Sequence, residues 1–233
     1  MPKVLIAPAP LDGVEAPFKN LLLQSGFELV YPHVGRQLVE SELNRFLDGC
    51  VAALAGSEPY TRAILEAHPQ LRVIARVGVG YDAVDLNAAT ERGVVVTIAP
   101  GTNQEAVAEH TMMLILACAR TLITQHNRIV AGGWPRNANV PVRGQTLGIV
   151  GLGRIGQAVA LRGLAFGMKV LAYETAPDRG FVEQHGIQLV SFETVVRQAD
   201  FLSLHAPLTA QTRHMMNAQT LGLMKPTAYL INT

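Results

Sequence analysis

Gly151, Gly153 and Gly156 stand in the stretch 147-LGIVGLGRIGQAVALRGLAFGMKVLAYE-174, which closes on Glu174. The spacing is G-x-G-x-x-G, and each glycine has a physical job. Gly151 permits a tight turn, Gly153 lets the backbone approach a diphosphate, and Gly156 lets a helix lie close on the preceding strand. The helix opening behind them offers free amides and the positive end of its dipole to an anion. Glu174 ends the next strand, where a carboxylate can accept hydrogen bonds from both hydroxyls of a ribose. It repels a 2′-phosphate, so the pattern favours NAD over NADP; Arg154 or Arg179 holding a 2′-phosphate is the competing reading. The glycines alone also suit a strand–helix turn without a ligand. The apolar strand before them, the helical run after them and the acid together point to a dinucleotide.

The elements that must position these residues alternate along the chain. Short strands are expected at 3–7, 27–31, 51–55, 72–77 and 94–98, with helices at 14–25, 39–47, 61–68 and 85–92 between them. Such alternation predicts parallel strands with crossover helices. Thr102-Asn103-Gln104-Glu105 then carries a capping-box pattern, with the Thr102 hydroxyl accepting from the Glu105 amide. A long apolar helix is expected from 104 to about 130, ended by Ala131-Gly132-Gly133. A second strand–helix series follows, with strands at 146–150, 169–173, 187–190, 201–205 and 228–231. The expected domains are 1–101 and 102–233.

Composition narrows the class. Of 233 residues, 49% are hydrophobic and 16% charged, so a sizeable core is expected and disorder is not. With net charge +1 and no basic stretch, nucleic acid is not an expected partner. Cys50 and Cys118 lie in apolar surroundings without ligand spacing, which suits reduced core thiols in a cytoplasmic protein. The N-terminus lacks a signal-peptide pattern. The apolar run Met112–Ala119 is closed by Arg120, short of the roughly 20 residues that span a bilayer, so no membrane is expected. The histidines show no metal-ligand spacing.

The segments 76-RVGVGYDAVD-85, 103-NQEAVAEHT-111, 148-GIVGLGRIG-156, 163-GLAFGMKVLAYE-174, 200-DFLSLHAPLTAQT-212 and 231-INT-233 resemble the D-isomer-specific 2-hydroxyacid dehydrogenases, the group that includes phosphoglycerate dehydrogenase. The resemblance runs from Arg72 to Thr233. It implies an α/β chain of two domains facing across a cleft: a flavodoxin-like substrate domain and a Rossmann-type NAD-binding domain. It implies hydride transfer between C2 of a small 2-hydroxy or 2-keto acid and NAD. Gly78 and Val79 match the turn whose amides meet the substrate carboxylate, a concavity suited to an anion, and Val79 also borders the cofactor. Asn103 matches a polar position facing the cleft. Arg154 and Ile155 match residues at the pyrophosphate, and Glu174 replaces the more usual Asp. His205, Ala206 and Pro207 match the loop beside the cofactor, Thr212 a polar contact in the same region, and Thr233 a residue against the nicotinamide ribose.

The catalytic Arg, Glu and His of the family fall beyond Thr233, so no catalytic residue is assigned in this chain. The Rossmann domain is expected to lack its last strands, and this form to show little activity and reduced stability, or to be held by association at an open strand edge. Glu109-His110 is no substitute acid–histidine pair, because adjacent helical residues point about 100° apart. The alternative is a non-catalytic NAD-binding or partner-binding protein, since the family also contains corepressors. The helix region 104–130 matches a two-fold contact in relatives and implies a homodimer; burial within one chain is the other reading. Phosphoglycerate-type relatives often carry an arginine in the turn after the third strand. Here that turn is Gly56-Ser57-Glu58, which adds an anion instead and puts a phosphorylated substrate in doubt unless Arg62 or Arg76 compensates.

Overall fold

The computed structural model of the chain describes residues 1–136 and 138–233. These form two compact units, Met1–Thr102 and Asn103–Thr233.

In the first unit, β1 (Lys3–Ile6), α1 (Pro17–Gln24), β2 (Glu28–Val30), α2 (Glu40–Phe46), β3 (Cys50–Ala55), α3 (Arg62–Ala67), β4 (Val73–Arg76), α4 (Leu86–Glu91) and β5 (Val95–Thr97) follow in turn. The strands are all parallel, in the order β2-β1-β3-β4-β5, which is the flavodoxin-like arrangement. The strands carry mostly aliphatic residues because both faces of a parallel sheet are covered by helices. Leu5, Ala53 and Ile74 from neighbouring strands share a core with Leu43 of α2 and Ile64 and Leu65 of α3. Local chemistry sets the helix starts. Pro17 takes the first position of α1, where its missing N–H is not needed. Thr61 and Asp85 cap α3 and α4 through their side chains.

The second unit runs α5 (Gln104–Ala119), α6 (Leu122–Val130), β6 (Thr146–Val150), α7 (Arg154–Ala165), β7 (Lys169–Tyr173), α8 (Arg179–His185), β8 (Gln188–Leu189), α9 (Phe192–Gln198), β9 (Phe201–Leu204), α10 (Ala218–Leu221) and β10 (Tyr229–Asn232). Its parallel sheet is ordered β10-β9-β6-β7-β8. Counted from β6 this is 3-2-1-4-5, the Rossmann order. β6 is the central strand, and Leu147, Ile149 and Val150 on it are fully buried. Asp200 ties the sheet's lower edge: Oδ2 accepts from the Thr146 amide at 2.8 Å, and Oδ1 accepts from Lys225 Nζ at 2.7 Å.

Two local expectations are corrected. The helix expected over 104–130 is broken at Arg120-Thr121, and α5 and α6 meet at 62°. The buried stripe of α5 (Ala108, Thr111, Met112, Ile115, Ala119) ends at the break. Thr121 takes a left-handed conformation, φ 47°, and the Gln125 side chain donates to the Arg120 carbonyl. The capping box is absent too. Thr102 Oγ1 donates to Ala99 O at 2.8 Å instead, and α5 starts after Asn103. Glu105, released from capping, binds Arg162 of α7 at 2.7 Å. Among the described residues no single helix is long and apolar enough to cross a membrane. Cys50 and Cys118 are both free thiols, and burial pushes the Cys50 thiol up to about 11.

Because Ile149 is fully buried at the centre of the second sheet, Ile149→Ala is expected to cost about 2–5 kcal/mol. Urea denaturation followed by the unfolding signal of the second unit measures it.

Candidate functional site

The turn from β6 into α7 is set by close backbone packing. A Cβ on Gly156 would lie 2.1 Å from the Gly151 carbonyl oxygen, so only glycine lets the helix sit this close to the strand. A Cβ on Gly151 would meet Ala206 N at 2.5 Å and His205 C at 2.7 Å, and Gly151 has φ +94°. The loop after β9 therefore lies directly on the glycine turn. Gly153 differs from both. A Cβ there would meet nothing within 4 Å, and its φ of −71° suits any residue. Nothing in the fold requires a glycine at this position. A side chain would instead fill the space in front of the first turn of α7, where a helix of twelve residues presents its unpaired amides.

Beside this turn lies a cavity of about 450 Å³, lined by Gly151, Gly153, Tyr173, Glu174, Thr175, His205, Ala206, Pro207, Thr209, Gln211, Thr212 and Met215. The structure thus brings together seven residues singled out from the sequence around the glycine turn and the loop after β9: Gly151, Gly153, Glu174, His205, Ala206, Pro207 and Thr212. Gly156 sits behind the turn, and Arg154 and Ile155 open α7. Thr233 follows β10 and does not line the cavity. Neither Arg154 nor Arg179 forms an ion pair among the described residues, and neither lines the cavity.

Glu174 ends β7 and folds back over the strand end. Its Oε2 accepts from Leu152 N at 2.8 Å, while Oε1 accepts from Thr175 N at 2.7 Å and Ala176 N at 3.0 Å. Burial pushes the carboxyl up, but the three amides outweigh it and hold it below the usual carboxylate value, so it is charged at neutral pH. His205 shares a 2.8 Å hydrogen bond with the fully buried Ser203 hydroxyl. Burial pushes its imidazole down to about 4, so it is neutral. Thr212 Oγ1 donates to Pro207 O at 2.6 Å and accepts from Thr209 N at 2.8 Å, fixing the loop that roofs the cavity.

In the first unit, Gly78 has φ +152°. Among the described residues, the amides of Gly78 and Val79 find no acceptor, while Arg76 Nε holds the turn by donating to Gly80 O at 2.8 Å. Asn103 precedes α5 with its Oδ1 buried and without a partner among the described residues. The turn after β3 corrects an expectation. Glu58 is only 1% exposed, and its carboxylate accepts from Gly56 N at 2.6 Å; the charge faces inward and is not offered to a ligand. Arg62 is committed to Glu91 through two hydrogen bonds, and Arg76 is buried. Among the described residues no group of three or more His, Cys, Asp or Glu could hold a metal ion.

Sequence reasoning missed Tyr173, Thr175, Thr209, Gln211 and Met215 as cavity-lining residues. Tyr173 and Thr175 flank the acid, and that adjacency was the available signal. Gln211 and Met215 enter through the fold of the loop after Pro207, which has no periodic pattern to read.

Residues 112–233 match the family model described as D-isomer specific 2-hydroxyacid dehydrogenase, NAD binding domain. The chain is 41% identical over 181 residues to a glyoxylate reductase of Thermococcus litoralis, covering 74% of this chain and 55% of that one. A glyoxylate reductase of Thermococcus kodakarensis is 37% identical over 245 residues, covering 99% of this chain and 71% of its own. Among solved structures, a D-lactate dehydrogenase from Aquifex aeolicus complexed with NAD and lactic acid superposes with a TM-score of 0.84 at 30% identity, covering 99% of this chain and 68% of that one. The chain spans about half the length of several of the relatives it matches.

Two substitutions separate packing from binding. Gly156→Ala forces a carbon into the Gly151 carbonyl and is expected to lower the melting temperature by several degrees. Gly153→Ala is expected to leave the melting temperature nearly unchanged and to weaken dinucleotide affinity about ten-fold or more, read by calorimetric titration. His205 adds a pH dependence. Its imidazole is neutral when folded but takes a proton below about 6.5 when unfolded. Stability from this residue is therefore present near pH 7 and falls by about 2 kcal/mol on going to pH 5. Melting curves at the two pH values for the wild type and His205→Gln are expected to show a smaller pH shift in the variant.

Proposed function

Because the chain belongs to the D-isomer-specific 2-hydroxyacid dehydrogenase family, we propose that it binds NAD in the cavity of its second unit and serves hydride transfer between NAD and C2 of a small D-2-hydroxy or 2-keto acid. The observation that carries this is Gly153, a glycine that the fold does not need, in front of unpaired helix amides and beside a charged Glu174. The diphosphate rests on Gly153, Arg154 and Ile155. The adenosine ribose lies against Glu174, and His205, Ala206, Pro207 and Thr212 border the rest of the coenzyme, with Thr233 toward the nicotinamide ribose.

When bound, NAD supplies the hydride acceptor or donor. The chain's own residues bind and orient. Loop amides and the α7 dipole neutralise the diphosphate, and the neutral His205 adds no competing charge beside it. In the first unit, the free amides of Gly78 and Val79 donate to the substrate carboxylate; Asn103, at the start of the second unit, is the further polar residue assigned to the substrate. Buried Arg76 keeps that turn in shape through Gly80. The substrate we infer is unphosphorylated. Arg62 is held by Glu91, and Arg76 is buried, its Nε donating to the Gly80 carbonyl and its Nη1 enclosed without a partner among the described residues, so neither cation named for a phosphate is presented at the surface unpaired. The relatives named glyoxylate reductase agree with a small acid.

A homodimer through α5 and α6 completes the reading. No residue of α6 is buried, and Ile123 and Val130 are 69% and 73% exposed. An apolar hollow of about 560 Å³ lined by Met112, Met113, Leu116, Leu122 and Phe166 adjoins them. Apolar exposure on this scale marks an interaction surface.

Calorimetric titration with NADH is expected to give saturable one-site binding; no heat at millimolar coenzyme would end the proposal. Thermal shift of the NAD-loaded chain tests the substrate class. Glyoxylate, pyruvate or hydroxypyruvate is expected to raise the melting temperature more than 3-phosphoglycerate does, and the reverse order would contradict an unphosphorylated substrate. In sedimentation velocity the chain is expected to run as a dimer and the Met113→Glu, Ile123→Glu variant as a monomer.

A further inference from the structure

The turn that carries Gly78 and Val79 is held at its carbonyls and left free at its amides. Ala99 N donates to the Gly78 carbonyl at 2.9 Å, and Arg76 Nε donates to the Gly80 carbonyl at 2.8 Å. The chain on either side is pinned to β3 and the segment after it. Val77 N donates to Ala55 O at 2.8 Å, Tyr60 N to Ala83 O at 2.9 Å and Asp85 N to Tyr60 O at 3.0 Å. Of these ties only the one from Arg76 is made by a side chain, and that side chain is charged. Arg76 is 9% exposed, with Nη1 enclosed and without a partner among the described residues. A guanidinium in such a place needs a nearby anion to offset its lost hydration. Glu58 supplies one. It is 1% exposed and follows β3, whose Ala55 pairs with Arg76 in the sheet register. Among the described residues the two form no direct ion pair, yet their charges act on one another. Burial pushes the Glu58 carboxyl up, while hydrogen bonds from the Glu58 and Gly56 amides and the Arg76 charge draw it partly back. Burial also pushes the enclosed Tyr60 hydroxyl up, with Glu58 and Arg76 acting on it in opposite senses. The three side chains thus share one buried polar cluster beside the turn.

We propose that Glu58 is a positioning residue for the substrate: its buried charge keeps the Arg76 guanidinium inside, where Nε fixes the Gly80 carbonyl and so aims the Gly78 and Val79 amides at the substrate carboxylate. The inference rests on the substrate reading of that turn given above. It reverses the sign expected of an acid close to an anion site. A carboxylate acting directly on the substrate repels it, so its removal tightens binding. Glu58 acts through Arg76, so its removal does the opposite. The guanidinium becomes an uncompensated buried charge, turns toward water and releases Gly80, and the amides lose their aim. The place of the carboxylate is itself set by Gly56, where a Cβ would lie 2.8 Å from Glu58 Oε1.

The experiment is titration of glyoxylate into the NADH-loaded wild type, Glu58→Gln, Arg76→Gln and the double variant, followed by the Gly78 and Val79 amide shifts. Folding is checked by circular dichroism and NADH affinity by calorimetry. The wild type is expected to show saturable shifts at both amides. Glu58→Gln and Arg76→Gln are each expected to weaken glyoxylate about ten-fold, the scale of one hydrogen bond from a charged group, with NADH affinity changed by less than about two-fold. The double variant is expected to be no weaker than Arg76→Gln alone, because Glu58 then has nothing left to hold; a general loss of stability does not couple in this way. Gly56→Ala displaces the carboxylate while keeping both charges, and it serves if a neutral variant fails to fold; it too is expected to weaken glyoxylate. Unchanged or tighter glyoxylate binding in folded Glu58→Gln or Gly56→Ala would overturn the proposal, as would additive losses in the double variant. A wild type whose Gly78 and Val79 amides ignore glyoxylate would instead overturn the substrate reading of the turn.

Discussion

The contact on which the second unit depends is the approach of α7 to the end of β6, where the Cα of Gly156 lies so near the Gly151 carbonyl that no side chain could intervene. This approach brings the amino end of α7 up to the carboxyl ends of the central strands. The same turn is pinned from its other side by the His205-Ala206 backbone, which leaves no room for a Cβ on Gly151. Gly163 repeats the constraint farther along α7, where a Cβ would meet Leu147 at 2.5 Å. Helix, strand and loop thus hold one another in register, and the unpaired amides of α7 point into space that Gly153 leaves open. A helix end left open in this way suits an anion through packing alone, with no cationic side chain needed at the turn.

Electrostatics around the turn sorts two titratable groups in opposite senses. Glu174 is partly desolvated, yet three backbone amides keep it ionised. His205 is more deeply buried and meets only the Ser203 hydroxyl, so it stays neutral. One fixed negative charge therefore stands at the β7 end of the cavity, and the histidine beside the glycine turn carries none. The hydrogen bond from Leu152 N to Glu174 also links the glycine turn to the end of β7, so loss of that carboxylate removes a tie that holds the turn.

The alternation of strands and helices and the glycine–acid pattern were legible in the sequence because each depends on residues close in the chain; the order of the strands within each sheet was implied only by the family resemblance. Alternation of aliphatic runs with Gly- and Pro-punctuated helices predicts two parallel sheets, and two form. What was illegible depends on competition or on tertiary burial. The apolar run closes at Arg120, but neither glycine nor proline stands at 120–121 to mark a stop, so the break at Thr121 is not legible in the sequence; it follows from where the packed face of α5 ends. The Thr102 hydroxyl had two acceptable partners, and the Ala99 carbonyl prevailed over the cap. Glu58 reads as an exposed turn anion, yet the fold turns it inward onto the Gly56 amide. The three amides that donate to Glu174 come from its own neighbours and from Leu152, a convergence visible only once β6 and β7 lie side by side.

The most direct test of the coenzyme site is a titration of the isotopically labelled chain with NADH, followed by amide chemical shifts. The largest shifts are expected at Leu152, Gly153, Arg154 and Ile155, with a second group at Thr175 and Ala176. Saturating NADH that left those amides unmoved while perturbing others would contradict it.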